Sequence, residues 1–172
     1  MYSETTQKNS DWQSKPQVKK GNLGEMIVDG YLIERGYIPY SPAEIGSHAF
    51  DRLAVKDKKD IVIAEVKTKA RLNKFNATGF NIEHYKDYKL ISNKYNIPIF
   101  VFFVDEMLKR VYGNFLSELD KTIVDDLEYP NTNKIKGIIL FSLKSMRFIK
   151  DLTDNEITEL KRLSNRNYDY LI

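Results

Sequence analysis

Two carboxylates and one amine stand out because each lies in or at the end of an apolar segment. Glu65 and Lys67 follow the apolar residues 61–64, and Asp51 lies in the preceding apolar segment. In a strand, residues two apart share a face, so Glu65 and Lys67 project together while Val66 points into the core. Charged groups in such a place are costly unless they are solvated, paired or bound to a metal.

Asp51 and Glu65 would form an oxygen site for Mg²⁺ if the two segments pair. Neighbouring carboxylates repel each other without a cation and bind a hard divalent cation when one is present. The chain has no cysteine and only 2 histidines, which excludes thiolate nucleophiles and Cys-ligated zinc. Phosphodiester hydrolysis needs an activated water and neutralised charge, and carboxylate-held Mg²⁺ beside an ammonium supplies both.

The shared site depends on the turn between the two strands. A plain four-residue turn at residues 57–60 would place Asp51 opposite Val66, on the wrong face. The site therefore predicts an odd-length turn or a β-bulge, which brings Asp51 to the face of Glu65. A regular hairpin with Asp51 on the other face would contradict the proposed site. The acids would then have only a structural role.

Hydrophobic spacing and turn signals predict the elements that position these residues. Glu25 lies in one row with Val28 and Leu32, so the first helix holds an acid on a face expected to pack. Residues 97–104 are apolar on both faces, which is typical of a central strand. Helices are predicted at residues 22–35, 81–95, 115–121 and 153–163, and strands at residues 49–56, 60–67, 97–104, 109–113 and 136–143.

This order predicts an α/β protein with one mixed β-sheet flanked by helices. Residues 1–19 are polar without periodicity and are expected to form a flexible arm, with a single domain over residues 20–172. The longest apolar run has 8 residues, against roughly 18 for a membrane span, and no signal peptide opens the chain. We therefore expect a soluble, cytoplasmic protein without a membrane partner.

Three short motifs, in order and context, resemble the PD-(D/E)XK nuclease superfamily near archaeal Holliday-junction resolvases and small phage or mobile-element nucleases. They are Lys20-Gly21-x-x-Gly24-Glu25, Phe50-Asp51 and Glu65-Val66-Lys67. The likeness covers roughly residues 20–105 and implies a restriction-endonuclease-like fold. Phe50 replaces the usual proline, and no family-type Gln is placed in the second helix.

The resemblance also implies roles. Asp51 and Glu65 would hold one or two Mg²⁺ ions with the backbone carbonyl of Val66, and Mn²⁺ would substitute. Lys67 would orient or deprotonate the attacking water, and Glu25 would be an accessory ligand, directly or through water. The implied activity is a metal-dependent nuclease acting on DNA, with structure-selective, resolvase-like cutting as one form. Such cutting of two strands would suit a homodimer, although the composition marks no interface.

Positive charge concentrates around the motifs. The net charge is +3, and residues 56–94 carry ten Lys/Arg and five acids, so this segment is +5 and the remainder is −2. Lys69, Arg71 and Lys74 follow the candidate site and are predicted to contact phosphates. Lys20 is a further candidate, for which simple solvation is the alternative.

Two other interpretations stay open. A non-catalytic nucleic-acid-binding or assembly module could keep the fold, but it would not need clustered acids facing a polyanion. On the second predicted helix, a row at helical spacing is expected to pack rather than to bind nucleic acid; its members are His84, Tyr88, Ile91 and Tyr95. Tyr85 or His84 could still reach the site from the start of that helix.

Overall fold

The structure is a computed structural model that describes residues 12–42, 49–57, 59–72, 76–124 and 137–164. In chain order its main elements are α1 (Pro16–Glu34), β1 (Ile38–Tyr40), β2 (Arg52–Lys56), β3 (Asp60–Thr68), β4 (Ala77–Asn81), α2 (Ile82–Tyr95), β5 (Ile99–Asp105), β6 (Arg110–Phe115), α3 (Leu116–Leu119), β7 (Ile138–Ser142), β8 (Arg147–Asp151) and α4 (Asp154–Arg162). No helix among these residues is long and apolar enough to cross a membrane.

The main sheet has six strands in the order β1-β2-β3-β5-β6-β8. The β3 and β5 strands are parallel, and the other neighbouring pairs are antiparallel. A separate two-stranded sheet pairs β4 with β7. This architecture confirms the predicted mixed sheet flanked by helices.

Each face of the main sheet packs against a separate apolar core. On one face, α1 and α4 pack against β3 and β5 through residues such as Val28, Leu160 and Phe102. On the other face, α2 and the small sheet pack through residues such as Tyr88, Phe103 and Phe141. Central strand β5 contributes to both cores, as its two-sided apolar sequence predicts.

The β2–β3 hairpin has the odd-length turn that a shared site requires. Lys56 pairs with Asp60, so the turn contains three residues, and Asp57 begins it with a φ of 51°. Arg52 pairs with Ala64, and one step further along this register Asp51 lies opposite Glu65. The register prediction is therefore confirmed.

Some element boundaries differ from the prediction. The first helix begins at Pro16 rather than at residue 22, because proline is tolerated in the first helical turn. Residues 16–19, predicted as part of the arm, are therefore helical. The β4 strand lies mainly in a stretch for which no helix or strand is predicted, and Gly79 allows it a close approach to Ile139.

Gly24 lets α1 approach the end of β3. A Cβ atom at Gly24 would lie 1.8 Å from the Oγ1 atom and 2.9 Å from the Cβ atom of Thr68. Gly30, two turns later, would meet nothing within 4 Å. The close contact at Gly24 sets the height of Glu25, the next residue, above the sheet.

We predict opposite effects for alanine at these two glycines. Gly24→Ala should lower the free energy of unfolding by about 1–3 kcal/mol, because α1 must move away from Thr68. Gly30→Ala should raise it by about 0.5–1 kcal/mol, because alanine favours the helix and fits there. Urea unfolding of both variants tests this, and equal effects would contradict the close packing.

Candidate active site

A buried carboxylate lies at the centre of the candidate site. Glu65 in β3 is only 2% exposed. Its Oε1 atom pairs with the ammonium of Lys67, and the hydroxyl of Tyr88 in α2 donates to the same oxygen at 2.6 Å. The Lys67 ammonium also donates to the Tyr88 hydroxyl at 3.2 Å, so the three groups form a closed network.

Asp51 is fixed beside this network by the backbone of β3. Its Oδ2 atom accepts a hydrogen bond from the N–H group of Val66 at 2.7 Å. Its negative charge raises the pKa values of both Glu65 and Glu25 by repulsion. Asp51 therefore lies between the acid of the sheet and the acid of α1.

Burial raises the pKa of Glu65 to about 7, and repulsion by Asp51 adds to this effect. The positive charge of Lys67 and the hydrogen bonds from Lys67 and Tyr88 act in the opposite direction. The second oxygen, Oε2, is buried and has no hydrogen-bond partner among the described residues. An unsatisfied carboxylate oxygen is costly, and a bound cation would remove that cost.

Glu25 reaches the site from α1 and is held by an arginine. Its Oε2 atom lies 2.9 Å from Arg52 Nη1, and Arg52 Nε lies 2.9 Å from Asp29 Oδ1. Arg52 Nη1 also donates to the backbone carbonyl of Asp51 at 2.8 Å. Burial is the main cause that raises the pKa of Glu25, followed by repulsion from Asp51.

Asp51 and Glu65 offer the donor set for a hard divalent cation. Each has one carboxylate oxygen engaged by the protein, with Glu65 Oε2 left without a donor within the described residues. In the described ranges, no three His, Cys, Asp or Glu side chains are grouped closely enough to hold a metal ion together. Glu25 turns toward Arg52, which leaves a two-carboxylate site with Glu25 behind it.

Tyr88 and Arg52 are site residues that sequence reasoning missed, and Tyr88 lies in a row on α2 that its spacing predicts to pack. Its ring does contact Phe80 and His84. A buried tyrosine also needs a partner for its hydroxyl, and that general rule was the available signal. Tyr85 instead donates to Asp120 at 2.9 Å, and His84 is exposed.

The predicted phosphate-contacting residues have different environments. The ammonium of Lys20 lies 2.6 Å from the buried carboxylate of Glu106, and the Lys20 side chain is only 12% exposed. This ion pair disfavours a phosphate contact at Lys20. Lys69 and Arg71 are half-buried just beyond β3, where their contacts stay predictions, and Lys74 lies outside the described residues.

Comparisons with known proteins identify the fold. No protein-family model matches the chain, and no curated protein matches it in sequence. Among solved structures, it is similar to a Holliday junction resolvase from Archaeoglobus fulgidus, an archaeal hyperthermophile, with a TM-score of 0.52 and 12% sequence identity. The match covers 73% of this chain and 90% of the resolvase. The chain therefore shares the fold of this resolvase, and the predicted fold is confirmed.

The raised pKa of Glu65 predicts a pH dependence of stability in metal-free protein. The folded state binds this proton more tightly than the unfolded chain, whose carboxyl has the ordinary pKa of 4.5. The free energy of unfolding should therefore fall as the pH rises from about 4.5 to about 7, and this contribution should then level off.

Urea unfolding with a chelator, compared between the wild type and Glu65→Gln, isolates this effect. Because glutamine does not ionise, the difference in unfolding free energy between the two proteins should change across that window. A constant difference would contradict the raised pKa.

Proposed function

We propose that this protein is a metal-dependent nuclease that hydrolyses phosphodiester bonds in DNA. The observation that carries the proposal is the buried Glu65 carboxylate, held by Lys67 with Asp51 opposite, within a resolvase nuclease fold. A purely structural ion pair has no need for a second acid at the same point, because the two carboxylates repel each other.

Asp51 and Glu65 would hold Mg²⁺, with Mn²⁺ as a substitute and the backbone carbonyl of Val66 as a further ligand. A bound divalent cation would supply charge neutralisation and a more acidic water at the scissile phosphate. Glu25 would act through water, because Arg52 already engages its carboxylate.

Lys67 is positioned by groups on three sides. Its ammonium pairs with Glu65, and it lies 5.6 Å and 5.5 Å from the ring centroids of Phe80 and Tyr88. This cation–π contact with two rings restricts a long side chain that would otherwise be mobile. Lys67 would orient the attacking water and offset negative charge on the phosphate.

The substrate proposal follows the positive charge and the solved neighbour. Lys69, Arg71 and Lys74, which follow the site in the sequence, would contact the phosphates of the DNA backbone. Because the similar structure is a Holliday junction resolvase, a structure-selective nuclease is proposed, and a homodimer would place two sites on two strands. An assay with linear, supercoiled, single-stranded and four-way-junction DNA, with and without Mg²⁺, tests this. Failure to cleave any form while binding DNA normally would contradict the proposal.

We predict that Glu65→Ala and Lys67→Ala each abolish cleavage with little loss of DNA affinity. The matched control is Glu118→Ala and Lys121→Ala, which remove the two halves of an exposed ion pair and should leave cleavage unchanged. Cleavage rates and binding isotherms measured on the same junction separate the two effects. An equal loss of binding and cleavage would indicate damage to the fold.

The same cation site distinguishes the alternative of a non-catalytic binding or assembly module. A nuclease site should bind Mn²⁺, and Asp51→Asn should weaken this binding strongly because a charged ligand is lost. Titration followed by electron paramagnetic resonance measures the bound ion directly. Absence of Mn²⁺ binding with normal DNA binding would favour the alternative.

Tyr88 is proposed as a positioning residue, since its hydroxyl bonds both Glu65 and Lys67. Tyr88→Phe should lower kcat roughly ten-fold and leave KM nearly unchanged, because a hydrogen bond to a charged group is lost. It should also shift the pH profile of kcat to higher pH, since that bond lowers the pKa of Glu65.

Tyr85→Phe is the control for Tyr88→Phe. It removes the hydroxyl of a tyrosine on the same helix that bonds Asp120 instead. If both variants changed kcat and the pH profile equally, Tyr88 would have only a structural role.

A further inference from the structure

A second concave site lies on the same face of the main sheet as Lys67 and Tyr88. It is a cleft of about 380 Å³, and its apolar lining apart from Phe148 belongs to the core that contains Tyr88. This volume is in the range of small-ligand sites. The cleft is lined by Arg71, Asn76, Leu108, Arg110, Tyr112, Leu143, Lys144, Met146 and Phe148.

Three cations line the cleft: Arg71, Arg110 and Lys144. None of the ion pairs among the described residues includes Arg71, Arg110 or Lys144. The neighbouring acid, Asp105, is fully buried, and its oxygens accept bonds from the Tyr112 hydroxyl and three backbone N–H groups. Within the described residues, three cations therefore line the cleft without an ion pair, although Asp105 and Asp151 lie opposite Arg110 in the neighbouring strands.

Aromatic rings complete the lining. Phe148 lies on the edge strand β8 and is 59% exposed, which is unusual for a phenylalanine in a folded domain. The Tyr112 ring is fixed, because its hydroxyl donates to Asp105 at 2.9 Å and its face stacks on Phe103. An exposed ring beside unpaired cations suits a ligand that has both a flat apolar part and phosphate groups.

The cleft is within reach of a strand bound at the candidate active site. Arg71 follows Lys67 by four residues, so their Cα atoms are at most about 14 Å apart. Arg71 is also fixed, since its backbone N–H group donates to Asp105 at 2.9 Å. A short stretch of one DNA strand can span this distance.

We propose that the cleft binds an unpaired nucleotide of the DNA strand, with the base on Phe148 and the adjoining phosphates on Arg71, Arg110 and Lys144. This inference rests on the proposed function for its DNA substrate. Only an unpaired base can present its face to a ring, because the bases of a duplex are already stacked on each other. The cleft thus favours DNA with unpaired nucleotides near the cut.

The test measures the affinity of the full chain for a labelled single-stranded oligonucleotide and for a blunt duplex of the same length. Fluorescence anisotropy reports the binding, and a chelator prevents cleavage. Phe148→Ala should weaken single-strand binding roughly ten-fold and leave duplex binding nearly unchanged, because a stacking surface is lost. Phe148→Tyr, which keeps a ring, should bind like the wild type.

The charged part has a matched test. Arg110→Gln with Lys144→Gln should weaken single-strand binding more than Lys86→Gln with Lys121→Gln, which removes two exposed cations from other surfaces. Thermal unfolding of every variant verifies the fold. Unchanged single-strand binding in Phe148→Ala, or equal losses for single strand and duplex, would overturn the inference.

Two further outcomes separate related ideas. If the free mononucleotide dAMP bound as tightly as the oligonucleotide, the cleft would be a small-molecule site and the strand proposal would be wrong. Oligonucleotide binding is measured in chelator, whereas nuclease activity is measured with Mg²⁺. The cleft proposal and the nuclease proposal can therefore be contradicted separately. Normal cleavage with no effect of Phe148→Ala would contradict only the cleft.

Discussion

The burial of the Glu65 carboxylate is the constraint on which the rest of the site depends. A charge that is 2% exposed needs compensation, and Lys67 supplies it from the same strand face two residues later. Tyr88 adds a hydrogen bond from α2, the helix that crosses from β3 toward β5. The segment that connects the two parallel strands therefore also supplies a hydrogen-bond donor to the buried carboxylate.

Two local features bring the other acids to this point. The three-residue turn between β2 and β3 places Asp51 on the face of Glu65, whereas an even-length turn would have turned it away. Gly24 permits contact between α1 and Thr68, so that Glu25 approaches from the opposite face. The positions of Asp51 and Glu25 thus depend on the odd length of the β2–β3 turn and on the lack of a side chain at Gly24.

Local patterns in the sequence were enough to predict the mixed sheet, because strand alternation is a local property. The pairing of Asp51 with Glu65 followed only from the chemistry of the site, since a plain four-residue turn would have placed Asp51 opposite Val66. Arg52 and Tyr88 were missed as site residues, because their roles depend on contacts between elements that no spacing encodes. The β4 strand was missed for a related reason, since Gly79 lowers strand propensity but is required by its close partner β7. Propensity was overridden there by tertiary packing.

Charge balance links the site to its proposed cation. Arg52 pairs with Glu25 and Asp29, Lys67 pairs with Glu65, and Asp51 lies between these pairs opposite Glu65. The ionised cluster of four acids therefore has two negative charges in excess of its two cations. A polyanion would be repelled by such a cluster, whereas one divalent cation would make it neutral. Because Arg71, Arg110 and Lys144, which form no ion pair among the described residues, line a separate cleft, the proposed DNA attraction and phosphate chemistry would occupy different parts of one face. That separation would make acids at the site compatible with the proposed nucleic-acid substrate.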